Sequence, residues 1–194
     1  MSHPLQIDIP AAAVTRYMRM GGQVPDGALA GRIEVLREQV AKIIHPTGIW
    51  RRMNIPLPVG SDSLARHLAG CHSAYIACGT VGAEIDALQR RVGVTSGLDA
   101  LIVQAIGAAA IEACMDSVEH EIEKELEPGE TLVRRYSPGY GDLPLDCQRT
   151  ILAILDTPRR IGVSLTDALL MVPSKSVSAI IGVRDGQESV QPSR

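Results

Sequence analysis

The longest apolar stretch of the chain runs from Leu98 to Val118, and four polar residues inside it, Asp99, Gln104, Glu112 and Asp116, decide what it can be. Crossing a bilayer would leave those carboxylates in hydrocarbon, so an unaided membrane span is not expected. Taking about 100° per residue from Leu98, the positions Leu101, Ile102, Ala105 and Ala109 fall within about 60° of it and define a core-facing helical stripe. Thr95 or Ser96 opens this helix and Glu127-Pro128-Gly129 ends it, so one long helix over about residues 95–127 is expected to organise the fold. Glu112 lands inside the stripe, and Asp116 follows one turn later on the same face. An ionised carboxylate on a buried face requires a cationic or hydrogen-bonding partner. Two readings stay open: the helix emerges into solvent as its stripe rotates onward to Ile111, Met115, Val118, Ile122 and Leu126, or the carboxylates face a site.

The 194 residues, 45% apolar and 21% charged, suffice for one hydrophobic core. We expect one domain over residues 1–184 and a polar tail over 185–194. With 3% aromatic residues and no Phe, the core must be aliphatic, and platforms that stack single-stranded nucleic acid are disfavoured. A net charge of -3 provides no overall basic field for nucleic acid or anionic lipid, although a local basic patch is left open. No basic segment followed by an apolar run opens the chain, so no signal peptide is expected. Cys71, Cys78, Cys114 and Cys147 are too few and too scattered for a disulfide scaffold. A cytoplasmic protein with free thiols is the resulting expectation.

A short strand (Leu5 to Ile9) is expected first, then a helix from Ala11 to Met20 that Gly21-Gly22 stops. Asp26 caps a second helix whose Leu29, Ile33, Leu36, Val40 and Ile44 repeat every three or four residues. Pro56 and Pro58 mark Ile49 to Val59 as an edge strand or connector. Ser61 caps a short helix through His67, and the apolar run His72 to Cys78 reads as a buried strand feeding a helix to about Arg91. After the long helix come a strand (Thr131 to Arg135), a Pro/Gly-rich loop (Ser137 to Pro144) and a helix (Asp146 to Asp156). Two last strands, Leu169 to Val172 and Ser176 to Val183, flank Pro173-Ser174-Lys175, close enough for a hairpin. Without a strict βαβ rhythm, the pattern predicts an α+β fold with a mainly antiparallel sheet flanked by helices.

The loop Arg134 to Pro144 is the second place for chemistry. A strand ending in arginine enters a bend with two glycines and two prolines that exposes backbone donors and acceptors. Arg135 can grip a carboxylate with both arms of its guanidinium, Gly139 permits close backbone approach, and Tyr140 supplies a hydroxyl and an apolar ring. An ordinary surface turn stapled by tyrosine is the plain alternative. Neither His67, Cys71 and His72 nor Cys71 and Cys78 have zinc-site spacing, so no metal is expected. Cys147 lacks a sequence-adjacent base and reads as a structural thiol. The doublets Arg51-Arg52, Arg90-Arg91 and Arg159-Arg160 read as solvated faces.

The stretch RYSPGYGDLPLDCQ, followed by MVPSKSVSAIIGV, resembles the activation, or reactivation, domain of cobalamin-dependent methionine synthase and its short stand-alone relatives. That family binds S-adenosylmethionine through R-x-x-x-G-Y, which Arg135, Gly139 and Tyr140 match in order and spacing. The resemblance implies that Arg135 binds the methionine carboxylate, that the loop backbone at Ser137 holds the adenine end, and that Glu112 on the long helix belongs to the ligand site. The family's N-terminal acidic ligand residue has no clear match, with Asp26, Asp62 and Asp86 as candidates. No D-x-H-x-x-G cobalamin motif occurs in the chain. The resemblance therefore implies cobalamin supplied by a partner, either a corrinoid protein or a methionine synthase core, and an external reductant of flavodoxin or ferredoxin type. A docking module that does not use S-adenosylmethionine, or a sensor of it, are the alternative readings.

Overall fold

The structure is a computed structural model and describes residues 2–186. Its chain order is β1 (His3–Pro4), α1 (Ala11–Tyr17), α2 (Gly27–Ala41), β2 (Thr47–Asn54), α3 (Asp62–His67), β3 (Ser73–Thr80), α4 (Glu84–Gly93), α5 (Gly97–Glu123), β4 (Glu130–Leu132), α6 (Cys147–Leu155), α7 (Thr157–Ile161), β5 (Ser164–Leu165), β6 (Met171–Val172) and β7 (Ser176–Asp185). Five strands form an antiparallel sheet in the order β1-β2-β3-β7-β4, and β5 pairs with β6 apart from it. The architecture is α+β, as the sequence pattern predicts.

Every residue of β3 is buried, because the sheet is covered on both faces. Tyr75, Ala77, Ala179, Ile181 and Val183 pack on one face against aliphatic residues of α1, α2, α4 and α5. Ala74, Ile76, Cys78 and Ile180 pack on the other against Leu64, Leu68, Ile151, Leu152 and Leu155. Side chains alternate along a strand, so each strand feeds both layers. The long helix approaches closely because Gly48 and Gly79 pair across β2 and β3. A Cβ on Gly48 would stand 2.5 Å from Val118 Cγ2, and one on Gly79 would stand 2.8 Å from Met115 Sδ.

Helix boundaries follow local chemistry. The side chains of Asp26, Ser61 and Ser96 accept hydrogen bonds from the amides of Leu29, Leu64 and Asp99, capping α2, α3 and α5. By length and composition α5 would pass as a membrane span, but one side of it forms the floor of the core. Its buried stripe passes through Ile102, Ala105, Ala109, Cys114, Met115 and Val118, whereas Leu98 and Leu101 are about half exposed, 51% and 49%. The sequence stripe anchored on Leu98 was thus centred toward the rim of the buried face, which is why Glu112 and Asp116 sit at an edge of the helix and not beneath the sheet.

Three other expectations change. The strand expected over Leu5 to Ile9 does not form: the first strand is His3–Pro4, just before it, and Leu5 and Ile9 turn into the core as irregular chain. The Thr131 to Arg135 strand ends at Leu132; Val133 N–H still donates to Gly182 O of β7 at 2.8 Å, and the chain then bridges β7 once more at Tyr136. The hairpin across Pro173-Ser174-Lys175 does not form: β6 pairs with β5, and β7 crosses to the main sheet between β3 and β4. Turn chemistry alone marked the bend, but partner choice depends on the unpaired edge of β3, far away in sequence. Of the expected tail, Asp185 belongs to β7 and residues 187–194 lie outside the described residues.

Candidate functional site

Each polar residue within the apolar stretch finds a partner from elsewhere in the chain. Arg32 on α2 forks onto Asp99 at 2.8 and 2.5 Å. Lys175, 7% exposed, donates from Nζ to Gln104 Oε1 at 2.7 Å, and burial lowers its pKa. Arg135 meets the remaining two, together with a third that follows them. Its Nη2 donates to Glu112 Oε2 at 2.7 Å, and its Nη1 to Asp116 Oδ1 at 2.8 Å and Glu119 Oε1 at 2.5 Å. The guanidinium is largely enclosed, with the side chain 20% exposed, while Glu119, Glu112 and Asp116 are 25%, 43% and 70% exposed. Burial by itself would lower the Arg135 pKa, but the hydrogen bonds to Glu119, Asp116 and Glu112 overcome it and raise it. With three carboxylates around one cation, the cluster has a formal excess of negative charge, suited to a ligand that carries positive charge as well as a carboxylate.

The chain brings Arg135 there by leaving and rejoining the sheet. Tyr136 exchanges backbone hydrogen bonds with Ile180 of β7, at 2.8 and 2.7 Å. The loop that follows folds on itself: Tyr140 N–H donates to Ser137 O at 3.1 Å, Leu143 N–H to Tyr140 O at 3.0 Å, and Gly139 N–H to Leu143 O at 2.9 Å. Gly139 and Gly141 sit at φ 90° and 54°. A Cβ on Gly141 would also meet Ser63 Oγ at 2.5 Å and Tyr136 Oη at 2.6 Å, so glycine is needed there for space as well as for backbone conformation.

The first turn of α3 nails this loop down. Asp142 accepts hydrogen bonds from the Ser63 amide, at 3.0 Å, and from the Ser63 hydroxyl. Tyr136 Oη donates to Ser63 Oγ at 2.8 Å. The Ser63 hydroxyl bond, with Ser61 nearby, pulls the Asp142 pKa well below the usual carboxylate range. His67 reaches the same strut, with Nε2 at 2.6 Å from Arg134 O and its ring 4.8 Å from that of Tyr136. This tether joins residues about eighty positions apart, and no local sequence pattern announces it.

Between α5, β7, the loop and the β6 segment lies an open cleft of about 600 Å³. Glu112, Arg135, Ser137 and Tyr140 line it. Gly139 is not among its lining residues; it shapes the loop from behind. Asp116, singled out on helical phase, lines the cleft, and so does Glu119, which sequence reading passed over. Its signal was present, since positions 112, 116 and 119 recur at spacings of four and three on one helical face. Gln148, Met171, Ser176 and Ser178 were also missed as lining residues. None of Asp26, Asp62 and Asp86 lines the cleft; Asp86 instead accepts from the Ser174 amide and hydroxyl at 2.8 and 2.6 Å, holding the bend before β7. Among the described residues, no group of three or more His, Cys, Asp or Glu has the arrangement of a metal site.

Residues 73–188 match the family model described as vitamin B12 dependent methionine synthase, activation domain. The fold is similar to the crystal structure of the MetH reactivation domain bound to AdoHcy, with a TM-score of 0.62 and 15% sequence identity over 98% of this chain and 82% of that one. No curated protein matches the chain.

Proposed function

The chain belongs to the activation-domain family of vitamin B12 dependent methionine synthase, and on that footing we propose that it binds S-adenosylmethionine in the α5 cleft and supports reductive methylation of a corrinoid held by a separate protein. The observation that carries this reading is the convergence of the Arg135 fork and three α5 carboxylates beside a glycine-bent loop. S-Adenosylmethionine has a carboxylate for the guanidinium and two positive centres, the ammonium and the sulfonium, for the acidic face. Arg135 takes the carboxylate, Glu112 balances the cationic end, Tyr140 lines the face near the methyl, and the Ser137 backbone and the bend at Gly139 hold the nucleoside side. Asp116, the most exposed of the three acids, is the one that most readily yields its place on the guanidinium.

The reduced corrinoid supplies the nucleophile when the partner docks, so no side chain of this chain attacks carbon. The protein positions the methyl group and orients the sulfonium. As the carbon–sulfur bond breaks, its electron pair stays on sulfur and the positive charge facing the carboxylates disappears. The reductant is a separate flavodoxin- or ferredoxin-type donor, and the setting is the cytoplasm.

Calorimetry with S-adenosylmethionine tests the binding step: the wild-type protein binds, Arg135→Ala loses at least tenfold in affinity, and no wild-type binding refutes the proposal. Adding a reductant and a cobalt(II) corrinoid protein tests the rest. The visible spectrum should shift to methylcobalt only when the protein and S-adenosylmethionine are both present.

A further inference from the structure

We infer that a second cleft, between α4, α5 and the bend before β7, is a binding site for a doubly charged oxyanion of phosphate type, with Lys175 and Arg90 as its cations. Met171 and Ser174 line both this cleft and the Arg135 cleft, so the segment they belong to is the wall between the two. S-Adenosylmethionine carries no such group, and the site stands apart from the function proposed above.

Asp99 and Lys175 are the two buried charged side chains among the described residues, and they are answered differently. Asp99 receives both arms of the Arg32 fork. The Lys175 ammonium donates to one uncharged acceptor, Gln104 Oε1 at 2.7 Å. An ammonium has three N–H donors, and enclosing it without a counter-charge is costly. Burial lowers its pKa, opposed through space by Asp86, which makes no ion pair with it.

The chain gives up helix stability to hold the ammonium there. Gly107 lies in the interior of α5, where glycine is less favourable than alanine. A Cβ at that position would stand 2.5 Å from Lys175 Cε, 3.0 Å from its Cδ and 2.9 Å from Ile85 Cδ1 of α4. The glycine therefore opens a lane for the lysine stem between α4 and α5. Its backbone is fixed as well, since Lys175 O accepts from the Val81 amide at 3.1 Å. The stem ends at Gln104, which is exposed, and Lys175 and Gln104 together line an open cleft of about 700 Å³.

Arg90 of α4 lines the same cleft. Its ordinary partner would be Asp86, one helical turn earlier. Both Asp86 oxygens are instead taken by Ser174, by its amide at 2.8 Å and its hydroxyl at 2.6 Å, and no ion pair of Arg90 occurs among the described residues. Two cations without a carboxylate of their own thus share one cleft, and two negative charges on one ligand balance them. A guanidinium fork and an ammonium both recognise phosphate oxygens, and the amides of Gln89 and Gln104 line the cleft as further donors.

Calorimetry with inorganic phosphate, just above neutral pH and at constant ionic strength, tests the site. The wild-type protein should bind phosphate with a dissociation constant of about 1 mM, and acetate, with one charge, about tenfold more weakly. Lys175→Met keeps the stem over Gly107 and removes the charge. It should melt at or above the wild-type temperature without phosphate, because an enclosed charge is gone, and should lose about tenfold in phosphate affinity. Arg90→Gln, at an exposed position where misfolding is not at issue, should lose about fivefold. Arg135→Ala should leave phosphate binding unchanged. Any one of four results overturns the inference: no saturable wild-type binding up to about 20 mM phosphate, acetate bound as tightly as phosphate, an affinity unmoved in either Lys175→Met or Arg90→Gln, or a loss of phosphate binding in Arg135→Ala. None of them touches S-adenosylmethionine binding, which is titrated with its own ligand.

Discussion

Replacing Arg135 by alanine removes a guanidinium that three carboxylates of one helix surround, and its effect on stability can be worked out before any ligand is added. The Arg135 to Glu119 bond joins side chains 20% and 25% exposed, and a hydrogen bond between charged groups in that setting contributes about 1.5 to 3 kcal/mol. Glu112 and Asp116 are 43% and 70% exposed; solvent screening reduces each of these to about 0.5 kcal/mol or less. Alanine leaves three like charges facing one another, but they swing into water through the open cleft, which limits the added penalty. The net expectation is a loss of about 2 kcal/mol. With a urea slope of about 2 kcal/mol per molar, the unfolding midpoint should fall by about 1 M. Arg135→Lys should recover only part of this, since a single ammonium cannot reach three carboxylates with a planar fork. Salt at 1 M should shrink the deficit, through the Glu112 and Asp116 pairs first. A midpoint within about 0.2 M of wild type would refute the three-carboxylate clasp, because no arrangement with those exposures makes the enclosed Glu119 pair negligible.

Asp142→Asn should loosen the loop over residues 137–143, seen as faster amide hydrogen exchange there with no change in α5. The Asp142 pKa is depressed, so its anchoring is fully present above the unfolded carboxylate value of about 3.9 and is lost only as the pH falls toward the lower folded value; wild-type loop exchange should stay slow until strongly acid pH. Gly48→Ala drives a Cβ into the stiff Val118 side chain and should destabilise by about 1 to 3 kcal/mol in chemical denaturation, whereas Gly60→Ala, with open space around it, should be close to neutral. Burial pushes the thiols of Cys78 and Cys114 up to about 12. Iodoacetamide at neutral pH should therefore leave both unlabelled in the folded protein, with any slow reaction confined to the partly exposed Cys71 and Cys147, and all four should react in denaturant.

Much of this protein is decided within short windows of sequence. Asp26, Ser61 and Ser96 set helix starts because a side-chain oxygen satisfies an amide two or three residues ahead. The Leu29 to Ile44 repeat makes α2 amphipathic, and Gly139 and Gly141 permit the bend that follows Arg135. These effects act over a turn or a single φ angle, so position along the chain is enough to read them. The same is true of the requirement that Glu112 and Asp116, set into the longest apolar stretch, need a cationic or hydrogen-bonding partner or an exit to solvent.

What the sequence could not decide is which of these holds, and with whom. Only folding brings Arg32 to Asp99, Lys175 to Gln104 and Arg135 to Glu112, Asp116 and Glu119, because each meeting depends on helix crossings and strand pairings that join segments far apart in the chain. For the same reason the turn at Pro173-Ser174-Lys175 was legible while the partners of the strands on either side of it were not: a turn is local, but β7 pairs with β3 about a hundred residues away. Burial follows the same division. Helical phase placed Glu112 and Asp116 on one face, but the centre of the buried stripe is fixed by where the Gly48 and Gly79 surface receives α5, and that leaves Leu98 and Leu101 half exposed and the two carboxylates at the cleft. The residues that answer the charges of the apolar stretch are therefore a property of the tertiary structure, and of the two arginines that meet its carboxylates the more enclosed, Arg135, is the one that opens onto the cleft.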